Sequence, residues 1–139
     1  MYSNVDPELK TKIKTLSMEY TDRPQPELLI RVPNPHPSLN YVVESISSEF
    51  TSLCPLAQTQ PDFATITIRY IPDKWCIELK SEKFYLVSYR TVSIFHEAVV
   101  GQIYKDLYKF IHPRQLCIEG NFTTRGGIKT SIKVGSVAL

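Results

Sequence analysis

Cys54 stands in the run Ser52-Leu53-Cys54-Pro55, and Asp62 follows shortly after, behind Gln60-Pro61. Farther on, His96 and Glu97 are adjacent. A thiol can attack an electrophilic carbon, and a carboxyl group or imidazole can move the protons that such an attack requires. These groups suit a cysteine hydrolase as well as a reductase, so residue types alone leave the reaction open. Plainer roles stand beside the chemical ones. A cysteine is often a small buried apolar residue, a carboxylate in a first helical turn is explained by the helix dipole, and Asp62 fits a turn.

Other signatures are missing. No G-x-G-x-x-G and no phosphate-binding P-loop occurs, so no Rossmann-type nucleotide site is expected. His96-Glu97 begins like a zinc-protease helix, but Val100 occupies the position of the second histidine. His36, His96 and His112 lack metal-ligand spacing, and no metal is implied. Arg125-Gly126-Gly127 is a lone triplet and reads as a turn. The cysteines, Cys54, Cys76 and Cys117, are odd in number and form no C-x-x-C pair, which argues against a disulfide framework.

Bulk properties narrow the setting. The net charge of +2 does not point to nucleic acid as a direct partner. No apolar run approaches the roughly 18–20 residues that span a bilayer, and the polar start MYSNVDPELKTKIK lacks a signal-peptide stretch. A cytoplasmic protein without a membrane partner is expected. A length of 139 residues suits one domain, 1–139, with residues 1–24 as an N-terminal arm.

The groups above need elements to position them. The arm reads as helical around Pro7–Met18. Residues 25–39, crowded with prolines, read as extended. A weakly alternating strand is expected over 40–48, then a loop over 49–61. The next segment, DFATITIRYI, is a clear strand, with Ala64, Ile66, Ile68 and Tyr70 on one face. A helix of about ten residues is expected over SEKFYLVSYR. The following helix carries Phe95, Val99, Ile103, Leu107 and Ile111 as one buried stripe, with Ser93 as N-cap and Pro113 as stop. Strands over 115–123 and 128–134 close the chain. This order implies an α+β fold in which two helices cover one face of an antiparallel sheet. The other face must be polar or covered by another subunit, which points to a symmetric oligomer.

Taken together, several segments resemble one family. EFTSLCP (49–55) and QPDFATI (60–66) are similar to the nucleophile region of the 7-cyano-7-deazaguanine reductases, the QueF family. Glu78-Leu79-Lys80-Ser81-Glu82-Lys83-Phe84-Tyr85 resembles that family's signature stretch, associated with NADPH. Phe95-His96-Glu97, Phe122 and Arg125-Gly126-Gly127-Ile128 continue the match in order, from about residue 30 onward. Two departures stand out. The loop between Cys54 and Asp62 carries one residue more than the family pattern, and Glu82 occupies a usually apolar position.

The resemblance implies the tunnelling fold, in which subunits of paired strands and two helices assemble into rings with sites at subunit interfaces. It also implies reduction of the nitrile 7-cyano-7-deazaguanine to a primary amine, with two NADPH consumed per turnover, in queuosine biosynthesis for tRNA. Cys54 would form a thioimide and Asp62 would supply protons. Ile77, Glu78, Leu79, His96 and Glu97 would bind the heterocycle, Glu97 by accepting two hydrogen bonds from a guanine-like edge. Lys80, Ser81, Lys83 and Arg125 would contact the cofactor. Two alternatives remain: a relative that adds ammonia to the same nitrile in tRNA, as in archaeosine formation, and a non-catalytic tunnelling-fold binding protein.

Overall fold

The computed structural model describes residues 5–57 and 59–139. In chain order the elements are helix α1 (Pro7–Thr15), strands β1 (Arg31–Pro33), β2 (Val43–Leu53), β3 (Pro61–Ile71) and β4 (Trp75–Ile77), helices α2 (Leu79–Val87) and α3 (His96–Ile111), and strands β5 (Gln115–Arg125) and β6 (Ile128–Ser136). Strands β2, β3, β5 and β6 form an antiparallel sheet in that order. β1 and β4 pair separately, a small ribbon that the proline-rich sequence did not announce. Among the described residues, no helix is long and apolar enough to cross a membrane.

Period-two patterning sets the layers. Ala64, Ile66, Ile68 and Tyr70 of β3 are buried together with Leu116, Ile118 and Phe122 of β5, under Val99, Val100, Ile103, Leu107 and Ile111 of α3. Each Val, Leu, Ile or Phe side chain among them contributes roughly 1.5–3 kcal/mol when fully buried. Gly120 permits the close approach of α3 to the sheet, since a Cβ there would stand 2.8 Å from a Val100 methyl. The opposite sheet face is largely polar, with Ile46 and Phe63 exposed among its polar residues. It carries Thr65, Thr67 and Arg69 of β3 and Glu119 and Asn121 of β5, and Arg69 pairs with Glu44 at 3.1 Å.

Several expected boundaries move. β2 extends to Leu53, so the segment Glu49–Leu53 is strand rather than loop. A bulge between Ser47 and Phe50 shifts the register, which is why the alternation looked weak. α2 begins at Leu79 rather than Ser81, because the Glu78 carboxylate accepts from the Lys80 and Ser81 amides at 2.9 and 2.7 Å. It tightens into a 3₁₀ turn at Ser88–Thr91. Ser93 is not the cap of α3; Phe95 occupies that position without a side-chain hydrogen bond. Phe95 is also 52% exposed, and so lies outside the buried stripe. The helix ends as expected, at His112 in the left-handed region (φ 45°) followed by Pro113. Gly126 and Gly127, both at positive φ, close the β5–β6 hairpin.

Candidate active site

The β2–β3 hairpin positions the thiol and the carboxyl group. Its ladder pairs Ser52 with Asp62 and Leu53 with Pro61, and a further bond runs from the Cys54 amide to the Gln60 carbonyl at 3.1 Å. The ladder therefore holds through Cys54, and the residue additional to the family pattern falls in the reversal that follows. By strand alternation Cys54 shares a face with Ser52 and Asp62, and stands diagonally across from Asp62. Such diagonal neighbours lie about 7–8 Å apart along the backbone, within reach of side chains converging on one small molecule. Cys54 is half-buried, and Asp62 is 6% exposed.

A backbone strap brings in α3. The Leu53 amide donates to the Val92 carbonyl and the Ile94 amide donates to the Leu53 carbonyl, both at 3.0 Å. This one-residue parallel bridge lays 92–94 along the end of β2, so α3 starts beside the hairpin. His96, its first residue, places Nε2 3.3 Å from an Asp62 carboxylate oxygen. The imidazole stacks on the Phe122 ring at 3.8 Å between centroids and 9° between planes. Glu97 lies exposed in the first turn, where free amides and the helix dipole favour negative charge. The Arg125 guanidinium donates to the Pro61 carbonyl and ties the β5–β6 turn to the start of β3. Neither Ser52 nor Phe122 shows a role in the sequence alone. Ser52 pairs with Asp62 and Phe122 supports the imidazole, and both follow from register.

Ile77, Glu78 and Leu79 are elsewhere. The Ile77 amide donates to the Tyr70 hydroxyl at 3.0 Å, and Tyr70 is at the far end of β3 from Asp62. Eight residues of strand separate Asp62 from Tyr70, about 26 Å at roughly 3.3 Å per residue. Ile77, Glu78 and Leu79 border a cavity of about 400 Å³ together with Val32, Tyr41 and Cys76. Cys76 is half-buried beside the Tyr41 hydroxyl, and Cys117 is buried in β5. One copy of the chain thus carries two clusters, one at each end of β3, and does not bring them together.

The expected cofactor residues divide again. Lys83 is exposed, with its ammonium 4.9 Å from the Phe84 ring centre. The Lys80 ammonium donates to the Ile13 and Lys14 carbonyls at 2.9 and 3.2 Å, holding the C-terminal end of α1. Ser81 is fully buried; its hydroxyl donates to the Glu78 carbonyl at 2.7 Å and accepts from the Ile30 amide at 2.9 Å. In this conformation its hydroxyl is committed to bonds within the fold. Glu82 is 5% exposed. Burial pushes its carboxyl up to about 7, opposed by a hydrogen bond from Ser45 and reinforced by the nearby Glu78 charge.

A family model described as QueF-like protein matches residues 61–138. The NADPH-dependent 7-cyano-7-deazaguanine reductase of Thermomicrobium roseum is 48% identical over 104 residues, covering 75% of this chain and 80% of that protein. The protein of the same name from Exiguobacterium sibiricum is 51% identical over 112 residues, covering 81% and 68%. The one from Chloroherpeton thalassium is 44% identical over 108 residues, covering 78% and 92%. Among solved structures, an archaeosine synthase described as QueF-Like, crystallised in the apo form, matches with a TM-score of 0.61 at 17% identity. That match covers 72% of this chain and 95% of the other, and it supports the tunnelling fold.

Proposed function

The chain belongs to the QueF-like family, and from that premise we propose that it is an NADPH-dependent 7-cyano-7-deazaguanine reductase. The product would be 7-aminomethyl-7-deazaguanine, on the route to queuosine in tRNA. The observation that carries this reading is the junction of Cys54, Asp62 and His96 where β2, β3 and α3 meet. It occurs in a chain 44–51% identical to three curated reductases.

A nitrile carbon is electrophilic but accepts hydride slowly. In this reading the Cys54 thiolate adds through sulfur to that carbon while the nitrile nitrogen takes a proton from Asp62, which gives a covalent thioimide. Sulfur suits the task because it attacks well and also leaves. Asp62 is held for proton transfer by its buried place on β3 and by His96. NADPH supplies hydride when bound, twice per turnover. Lys83, exposed on α2, is the cation best placed for its phosphates, and Lys80 joins it once released from the α1 carbonyls. Ser81 does not fit such a contact, and Arg125, exposed at the β5–β6 turn and steadied by its bond to the Pro61 carbonyl, is the third cation offered to the phosphates.

Glu97 binds the heterocycle by accepting hydrogen bonds from its ring N–H and amine. Ile77, Glu78 and Leu79 reach that heterocycle from a second copy of the chain, since their own copy holds them a strand's length from Cys54. A homo-oligomer with sites between subunits is therefore part of the proposal.

The test is incubation of the purified protein with 7-cyano-7-deazaguanine, with and without NADPH, followed by intact mass and absorbance at 340 nm. Substrate-dependent NADPH oxidation with formation of the primary amine is expected. A covalent adduct without NADPH consumption would transfer the chain to the ammonia-adding branch, and neither signal would leave a binding protein.

A further inference from the structure

We propose that Ser52 is a positioning residue for the proton donor Asp62, an assignment that rests on the reductase reading above. Two observations carry it. Ser52 and Asp62 are direct cross-strand partners in the β2–β3 ladder, a relation that puts their Cβ atoms about 4.5–5.5 Å apart. The Ser52 hydroxyl is fully buried and has no hydrogen-bond partner among the described residues. A buried hydroxyl left without a partner is costly, and most such groups in folded proteins are satisfied. This one lies two residues from the nucleophile, on the face that carries the acid.

The chemistry gives the hydroxyl its partner. As the Cys54 thiolate, its proton already given up to solvent, bonds to the nitrile carbon, one C–N π pair becomes a nitrogen lone pair and takes the Asp62 proton. Asp62 is left as a carboxylate in a nearly closed site. A carboxylate there needs donors. His96 Nε2 stands at one oxygen, 3.3 Å away; the Ser52 side chain, unbonded in the resting structure, turns about χ1 to bring its hydroxyl to the other. That hydrogen bond strengthens as negative charge develops on Asp62, so it favours the transition state over the resting enzyme. Thr51 and Leu53, on either side, face away from Asp62 by strand alternation and cannot replace it.

Ser52→Ala in the full-length protein tests the idea. Hydrogen bonds to charged groups are the stronger kind, and kcat for NADPH oxidation is expected to fall about 10- to 100-fold, with KM for the nitrile within twofold. The alkaline limb of kcat should move to higher pH, because a carboxylate stripped of a donor holds its proton more tightly. Thermal stability should be unchanged or slightly raised, since the substitution removes an unsatisfied buried hydroxyl. Should Ser52→Ala not accumulate as folded protein, Ser52→Cys, with only a weak donor, carries the same readouts. An unmoved pH profile with wild-type kcat overturns the assignment. So does a parallel loss of kcat and stability, which marks a packing role. Failure of the wild-type protein to oxidise NADPH would instead refute the reductase reading itself.

Discussion

His96 reaches Asp62 from the first turn of α3, with 3.3 Å between Nε2 and the carboxylate oxygen. Helix and strand are registered to each other by the strap through Leu53, so the contact belongs to the fold rather than to a mobile loop. If Asp62 supplies the protons, Asp62→Asn keeps the shape and removes the acid. Turnover should fall roughly 100- to 10,000-fold, the usual worth of a placed acid–base group, while nitrile binding changes little. Stopped-flow NADPH oxidation and equilibrium titration of the nitrile measure the two quantities. Turnover within threefold of wild type would remove Asp62 from the mechanism.

The three thiols occupy different surroundings, and that separates their expected behaviour. Cys54 directly follows β2 at the site, Cys76 borders the cavity near Tyr70, and Cys117 is buried in β5. Cys54→Ala should bind the nitrile yet give neither adduct mass nor NADPH oxidation. Cys117→Ser should lose about 1–3 kcal/mol of stability from a buried hydroxyl that needs a partner, with adduct formation intact. Loss of the adduct in folded Cys117→Ser would mean that the wrong sulfur has been assigned.

Glu97 is exposed in the single chain. Glu97→Gln exchanges one acceptor for a donor. Against a guanine-like edge that offers two donors, this should weaken nitrile binding about 10- to 100-fold, with folding unaffected. Isothermal titration gives the dissociation constant directly, and an unchanged value would leave Glu97 with the helix dipole alone.

What could be read from the chain follows from where the periodicity is clean. DFATITIRYI alternates without interruption and is β3; the four-residue stripe from Val99 to Ile111 is α3. β2 was shortened because Ser48 and Glu49 bulge, which moves the core-facing phase from Ser45 and Ser47 to Phe50 and Ser52. The cap of α3 falls at Phe95 rather than Ser93 because the bonds of Val92 and Ile94 to Leu53 hold 92–94 extended along β2, so the helix starts only at His96. The candidate site was legible as Cys54, Asp62 and His96, but the split between these and Ile77-Glu78-Leu79 was not. No local pattern states that two motifs 15 residues apart, beginning at Asp62 and Ile77, stand at opposite ends of one strand. That separation comes from pairing, and pairing is a long-range property.

Glu82 departs from the family pattern, and the fold makes the departure measurable. It sits between α2 and β2, 5% exposed, with one carboxyl oxygen lacking a partner among the described residues. Burial raises its pKa from the ordinary 4.5 to about 7. Below about pH 4.5 the group is protonated in both folded and unfolded chains, and stability is independent of it. Between about 4.5 and 7 the unfolded chain releases the proton while the folded chain keeps it, so stability falls as pH rises. Above 7 the full penalty, about 3 kcal/mol, is in place. Glu82→Leu, which restores an apolar side chain, should remove this slope. It should also stabilise the protein by up to about that amount at pH 8, with little effect at pH 4.5. Urea unfolding at the two pH values gives the comparison. Equal gains at both would show that Glu82 acts through packing alone, and a loss at pH 8 would show that its carboxylate has a partner worth more than its burial costs.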